Sequence, residues 1–463
     1  MVRPRLNAGA VIDGFTLGEI LHRGGMAMLW SVTHPDHDLP MLMKVPLLFE
    51  GEDPAAIVGF EMEQMILPRL HGPHVPRFIA AAGFEVQPYI VMEHVDGVSA
   101  ETLLPRTPLP AAEVAAFGAA VATALASLHA QHVVHLDVKP ANILLRPDGT
   151  VVLIDFGLSR HERLPDLMQE EFRLPYGSAP YMAPEQVMGE RGDPHSDLFA
   201  LGAVLYQLTT GAWAFENEQR LSAMKRRLWR DPEPPRRRRP DCPPWLQEII
   251  LRCLEVDPAR RHPTAAQLAF DLHHPDQVAL TARAAKTARD GMAAVLKRRF
   301  NPDPMAPRPS GTSAQLAAAP IIAVAIDLPV ETSALPEAMR RSLMRIMAMV
   351  PGARVACLNV LRQGLISIDT TLDADGQNRH VQRLVELRHW VAPLRLEEER
   401  VTFHVLQAVN VAGAILEYAE ANRVDHLILG ARPQSVRRRL LGSVSGEVAA
   451  WAPCSVTVVR LRG

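Results

Sequence analysis

His135-Leu136-Asp137-Val138-Lys139-Pro140-Ala141-Asn142, followed by Asp155-Phe156-Gly157, is the stretch on which the reading of this chain turns. It gathers two carboxylates, a carboxamide and a lysine. Lysine is scarce here: of 49 basic side chains only Lys44, Lys139, Lys225, Lys286 and Lys297 are lysines, so where each one falls carries weight. The chain has 463 residues, a length that predicts about two to four domains. With 48% apolar and 22% charged residues, wholesale disorder is excluded. A formal charge of −2 argues against a uniformly basic nucleic-acid binder or an acidic tail protein.

The stretch resembles the catalytic loop and metal-binding D-F-G of eukaryotic-type protein kinases. That resemblance implies that Asp137 orients the attacking hydroxyl, Lys139 approaches the γ-phosphate, and Asn142 and Asp155 hold Mg²⁺, with Mn²⁺ as the alternative ion. A lysine two residues after the Asp is also what Ser/Thr kinases carry. Other family positions follow in order. Met41-Leu42-Met43-Lys44 stands at the strand lysine for the α- and β-phosphates of ATP, and Glu63 is its helix partner. Tyr89 to Val95 resembles the hinge, where Glu93 and Val95 bind adenine through backbone groups and Met92 closes the pocket. Leu21, Gly24, Gly25 and Leu29 frame the phosphate loop. Gly177 to Glu185 resembles the substrate-facing loop, with Ser178 inside it and Glu185 in its A-P-E. Asp197 and Arg261 match the family's structural Asp and the Arg that pairs with that Glu. Two of the five lysines thus occupy positions where the chemistry needs one.

Two departures bear on activity. The G-x-G-x-x-G loop reads His22-Arg23-Gly24-Gly25-Met26-Ala27, so its first and third glycines are replaced. Glycine lets backbone N–H groups approach phosphate, and the change predicts weaker ATP binding or a slower rate rather than inactivity. The family's H-R-D reads His135-Leu136-Asp137, which removes the Arg that grips an activation-loop phosphate. The only hydroxyl side chains from Gly157 to Ala183 are Ser159, Tyr176, Ser178 and Tyr181. Activity without a phosphorylated loop is the expectation.

Outward from this core, residues 14–95 read as short strands (Phe15–Leu21, Leu29–Thr33, Met41–Val45, Tyr89–Met92) around a helix near Ala55–Leu70. Helical patterns dominate 99–275, with Ala111–His129, Leu198–Thr210 and Pro244–Glu255 foremost. Arg236–Arg239 reads first as a solvated loop face and second as a docking site for acidic substrates or another domain. No aromatic platform accompanies it, which argues against nucleic acid. Residues 276–298 are Ala-rich and basic, predicted helical, and 301–319 are dense in Pro, Ser, Gly and Ala, a linker by composition.

After the linker, strand-like Ile321–Ile326, Val355–Asn359, Thr402–Leu406, His426–Leu429 and Val456–Val459 alternate with helical Glu337–Met349, Gln377–Val391 and Val411–Ala421, which predicts a parallel α/β sheet. The run from Val424 through Gly430, Pro433, Gly442 and Ser443 to Val459 resembles the universal stress protein family, with Ile321–Asp327 as its first strand. Nucleotide-binding members carry G-2x-G-9x-G-[S/T], whose backbone N–H groups cradle phosphates. Here Pro433 replaces the second Gly and the spacing to Gly442-Ser443 is one residue short. Proline offers no N–H, so a folded regulatory or dimerising module is the leading expectation. A nucleotide site at Asp327, Gly430, Gly442 and Ser443 is the secondary one. Family members often pair through the final strand, and Val456–Val459 would serve as that edge.

Four widely spaced cysteines with no C-x-x-C pair fit a reducing compartment. His129, His132 and His135 lack the partners of a tetrahedral metal site. The first 15 residues lack a signal-peptide core, and Val114–Leu128 is too short and Ala-rich to span a membrane. The chain is therefore expected to be cytoplasmic, with no membrane span.

The combined expectation is a multidomain chain. A bilobal α+β protein kinase fold (14–275, N-lobe about 14–95, C-lobe about 96–275) precedes a linker (276–319) and an α/β parallel-sheet, universal stress protein-like domain (320–463). It is expected to phosphorylate Ser/Thr hydroxyls of proteins, itself included, and to form a homodimer through its C-terminal domain. The alternative is a catalytically weak pseudokinase acting as a nucleotide-responsive scaffold. The net charge resolves into −9 over residues 1–275 and +3 over 320–463, which permits weak attraction between the two domains.

Overall fold

The computed structural model describes residues 6–48, 54–300, 319–328, 334–364, 372–373, 378–431 and 443–461. Gly442, Pro433, Arg437–Arg439 and the Pro-rich part of the expected linker lie outside the described residues.

The N-terminal lobe is an antiparallel sheet of β1 (Val11–Ile12), β2 (Phe15–Arg23), β3 (Ala27–His34), β4 (His37–Pro46), β5 (Phe78–Ala82) and β6 (Tyr89–Glu93), in the order β1-β2-β3-β4-β6-β5. Strands β2 and β4 bury alternate residues, such as Phe15 and Leu17 or Met41, Met43 and Val45, as one-sided strands do. Helix α1 (Pro54–Ile66) packs beneath the sheet and buries nine of its residues. Strand β5 was not anticipated: its FIAAA sequence shows neither alternation nor β-branched enrichment beyond one Ile.

The C-terminal lobe is built on α2 (Ala111–Ala130). This helix has the length and hydropathy of a membrane span, and it packs against α4 (His195–Thr210) and α6 (Ala265–His273), with Val121, Ala122 and Leu125 fully buried. Between Gly157 and Ala183 the chain forms one short helix, α3 (Leu167–Glu171), capped by Asp166. Helix α5 (Pro244–Cys253) lies against α4.

The 276–300 segment holds to this lobe. Gln247 Nε2 donates to the carbonyls of Arg283, Ala284 and Lys286, and Glu248 accepts from Thr281, Arg283 and Ala284. Its helix is interrupted: a single turn at Ala282–Ala285 is followed by a nine-residue helix at Met292–Phe300. Arg236–Arg239 is not a free loop face. It is mostly a short helix whose arginines bind Glu233, the Ala284 carbonyl and Asp241.

The C-terminal domain is a five-stranded, wholly parallel sheet of β7 (Ile321–Ala325), β8 (Arg354–Arg362), β9 (Val401–Ala408), β10 (His426–Gly430) and β11 (Ser455–Val459), ordered β9-β8-β7-β10-β11. Helices α7 (Ala334–Met349), α8 (Arg379–Val391), α9 (Val411–Ala421) and α10 (Ser443–Trp451) accompany it. Crossover helices between parallel strands explain why its strands are nearly continuous apolar runs. One hydrophobic cluster runs from Val58 and Met62 of α1 through the C-lobe to Leu384, Leu387 and Trp390 of α8, so the two domains share a core.

Candidate active site

The cleft is assembled from β4, α1 and the loops after β6 and α2. Lys44 Nζ, on β4, donates to Glu63 Oε2 at 2.5 Å and to Asp155 Oδ1 at 2.9 Å. Burial works against the ammonium, but the Asp155 and Glu63 carboxylates outweigh it and hold its pKa above the ordinary lysine value. The same Lys44 charge holds the Asp155 carboxyl below its ordinary range. Helix α1 comes this close because Gly59 has no side chain. A Cβ there would lie 3.3 Å from the Gly157 carbonyl, and one on Gly157 would lie 3.2 Å from the Gly59 carbonyl. Glycine inside a helix is unfavourable by roughly 1 kcal/mol, and this backbone-to-backbone contact is the reason for it here.

Asp137 is the hub on the other side. Its carboxylate accepts from Lys139 Nζ (2.7 Å), Asn142 Nδ2 (3.1 Å), Ser178 Oγ (2.9 Å) and Ser178 N (3.3 Å). Lys139 Nζ also donates to Ser178 Oγ at 3.1 Å, tying the loop after Gly177 to the Asp137–Asn142 stretch. Asn142 commits its amide nitrogen to Asp137, leaving its amide oxygen as a hard donor. Ile154 N donates to the Asn142 carbonyl at 3.0 Å, which sets Asn142 beside Asp155, whose side chain is 46% exposed to the cleft. An amide oxygen and a carboxylate form an oxygen-only donor set that fits Mg²⁺.

Buried charges fix the frame. Asp197 accepts from the backbone N–H groups of His135 and Leu136, each at 2.8 Å, and lies 2.8 Å from His129 Nε2. This pins Leu136 at φ 65°, a left-handed conformation that costs an L-residue energy and persists where surroundings over-determine it. Asp155 takes a similar φ of 67°. Glu185 receives a bidentate pair from Arg261 Nη1 (2.6 Å) and Nη2 (2.8 Å), plus Ser196 Oγ at 2.7 Å. His132 pairs instead with Glu162, and His135 Nε2 faces the Ile154 carbonyl, so the three histidines diverge.

The expected nucleotide-pocket residues lie on β2, β3 and β6 and in the segments that join or follow them. Gly24 and Gly25 form the turn between β2 and β3, with Gly24 N donating to the Ala27 carbonyl at 3.0 Å. Leu21 is partly exposed and Leu29 half-buried on those strands, while Met92 on β6 and Val95 just after it are buried. Glu93 is held by Arg146 at 2.6 Å. In the C-terminal domain, Gly430 ends β10 and Asp327 follows β7. Those strands are neighbours at the point where strand order reverses. A Cβ on Gly430 would meet Met339 Sδ at 3.0 Å, so glycine there lets the α7 side chains pack close to the strand end. Ser443 begins α10.

The model of the protein kinase domain family matches residues 15–274, more than half of the chain. The chain belongs to that family. The universal stress protein family model matches residues 320–460. Serine/threonine-protein kinase PknB of Mycolicibacterium smegmatis is 33% identical over 272 residues, covering 56% of this chain and 42% of the relative. PknB of Mycobacterium tuberculosis gives the same identity and coverage, and pkn3 of Myxococcus xanthus is 31% identical, with 56% and 49% covered. The chain therefore matches less than half the length of these curated relatives. Among solved structures, the Mycobacterium tuberculosis PknI kinase domain is 27% identical at a TM-score of 0.46, covering 58% of this chain and 99% of that one.

Proposed function

We propose that this kinase-family chain is a serine/threonine protein kinase that transfers the γ-phosphate of ATP to protein hydroxyls, its own included. The observation that supports this most directly is the pair of hubs facing one cleft: Lys44 between Glu63 and Asp155, and Asp137 between Lys139, Asn142 and Ser178. Leu21, Gly24, Gly25, Leu29, Met92, Glu93 and Val95 enclose the nucleotide, and Lys44 meets its α- and β-phosphates. Asp155 and the Asn142 amide oxygen hold Mg²⁺ (or Mn²⁺), which when bound neutralises phosphate charge.

Asp137 accepts the substrate hydroxyl's hydrogen bond and aims its oxygen at the γ-phosphorus. That oxygen bonds to phosphorus, the bond to the β–γ bridging oxygen breaks, ADP leaves and the hydroxyl proton passes toward Asp137. Lys139 offsets charge on the phosphoryl oxygens. Phosphate transfer from labelled ATP to a generic Ser/Thr acceptor tests the proposal: wild type is expected to transfer, and Asp137→Asn and Lys44→Met to lose transfer. Persistent activity in purified Asp137→Asn refutes the role given to it.

The C-terminal domain is proposed to regulate this activity. Its edge strand β11 offers a surface for homodimer formation, and Asp327, Gly430, Gly442 and Ser443 are the residues on which nucleotide retention would depend. The four free cysteines favour a reducing, cytoplasmic setting.

A further inference from the structure

The segment after Asp155-Phe156-Gly157 is held by the C-terminal domain. Helix α3 lies between α1 on one side and β9 and α9 on the other. The Glu170 carboxylate accepts from Arg354 Nη1 at 2.9 Å and lies 3.0 Å from His404 Nε2. The hydroxyls of Thr402 and Tyr418 are each 3.4 Å away, and Asn422 Nδ2 donates to the Glu170 carbonyl at 3.1 Å. Glu171, the next residue, lies 3.5 Å from His404 Nδ1 and 3.9 Å from His380 Nε2. Glu170, Arg354, His404 and Tyr418 are all buried. A desolvated charge persists only when paired and hydrogen-bonded, and every partner of this carboxylate named here belongs to the other domain.

A second contact grips α1 itself. Arg388 of α8 donates to Glu61 at 2.5 Å and lies over the Phe403 ring, 5.4 Å from its centre. Glu61 and Glu63 are two residues apart, roughly 200° around a helix. Hence α1 is held by Lys44 on one side and by the C-terminal domain on the other. Within the kinase lobe Arg191 binds Asp166, the cap of α3, at 2.8 Å, but Leu136 replaces the arginine of the family's H-R-D, and Glu170 is received from the other domain.

We propose that the C-terminal domain completes the kinase in cis, with Arg354 and His404 as the receptor for the Glu170 carboxylate and Arg388 as the anchor of Glu61. These are positioning residues: they act on phosphoryl transfer through α3 and α1 and touch no substrate. Glu170 gives this segment a negative charge, and the cations that receive it, Arg354 and His404, come from the second domain. The inference rests on the kinase reading above.

The test uses full-length protein. Glu170→Gln keeps the shape and removes the charge, and Arg354→Met removes the receptor. Each is expected to lower kcat toward a peptide about tenfold, with KM for ATP within about twofold, and the double variant should be no worse than either single one. Arg354→Lys is expected to recover part of the loss. Arg388→Met should instead raise KM for ATP, because it frees the helix that carries Glu63. Hydrogen exchange is expected to rise over 167–171 in Glu170→Gln and over 54–66 in Arg388→Met. Wild-type kcat in folded Glu170→Gln, or increased activity in it, overturns the proposal and leaves the kinase reading standing. Absence of any transfer by wild type overturns the kinase reading, and this proposal with it. Should Arg354→Met not fold, Glu170→Gln and Arg388→Met decide the matter alone.

Discussion

Arg354 and Glu170 are 184 residues apart in sequence and 2.9 Å apart in space, joining the second domain's sheet to the activation segment of the first. His404 completes this contact, and its protonation makes the contact pH-dependent. Burial opposes charging the ring, but Glu170 and Glu171 reverse that and raise its pKa from 6.5 to about 9. Glu170 is desolvated too, yet His404 and Arg354 bring its carboxyl down from 4.5 to about 2.

The sign follows by linkage. The His404 contribution is complete below pH 6.5 and is lost as pH climbs through about 9. That of Glu170 is complete above pH 4.5 and lost as pH falls through about 2. The other groups facing this site are Glu171 on α3, Arg354 on β8, His380 on α8, Tyr418 on α9 and Glu61 on α1. Burial keeps His380 low and Tyr418 high in pKa, which leaves both neutral near pH 7. Docking is therefore expected to weaken between pH 7 and 9.5, seen as rising exchange in α3. The difference in Tm between wild type and His404→Asn should shrink over the same window; a constant difference would contradict this.

Gly59→Ala places a methyl group 3.3 Å from the Gly157 carbonyl. On an isolated helix this change would stabilise by roughly 1 kcal/mol. Here α1 must retreat, lengthening the Lys44–Glu63 contact. The expected result is several-fold weaker kinase activity with little loss of Tm, and Gly59→Val should lose far more. Activity equal to wild type in Gly59→Val would show that α1 has slack.

The buried pair Glu185–Arg261 supports the substrate-facing loop from below. Arg261→Met leaves the Glu185 carboxylate without its guanidinium, which costs about 3–5 kcal/mol for a buried pair. The expected outcome is a marked fall in Tm, with Glu185→Gln milder because Ser196 and Arg261 retain a hydrogen-bonding partner. Thermal unfolding of the two variants ranks them.

The cluster of Asp137, Lys139 and Asn142 was legible because the proposed chemistry demands particular residue types at short separations, and the structure brings these three side chains together. Rare lysines made two of the positions stand out further. The parallel sheet was legible from alternating apolar runs, since buried strands and helices differ in period. The interdomain contact was not. No local pattern in the sequence joins Glu61 to Arg388, or Glu170 to Arg354 and His404. Gly59 carried a faint signal, a glycine within a helical run, whose cause lies about a hundred residues away in Gly157. Strand β5 failed for composition, because three alanines bury little and alternate with nothing.

This kinase is expected to be active without a phosphorylated loop. Leu136 supplies no cation to a phosphate on the loop, and Ser178 already donates to Asp137, which commits that hydroxyl to the frame. With Glu170 held by Arg354 and His404, the segment carries a permanent negative charge and its receptor. Protein stripped of phosphate by phosphatase is therefore expected to keep its initial rate, assayed over the first turnovers before autophosphorylation can rebuild modification. The altered phosphate loop, rather than loop modification, should limit the rate: replacing His22 and Ala27 by glycine restores backbone freedom beside Gly24 and Gly25 and is expected to lower KM for ATP several-fold. A phosphatase-treated enzyme that is silent until rephosphorylated would contradict the first expectation. An unchanged KM and kcat in the His22→Gly, Ala27→Gly double variant would contradict the second, since the backbone N–H groups of this turn would then already reach the phosphates.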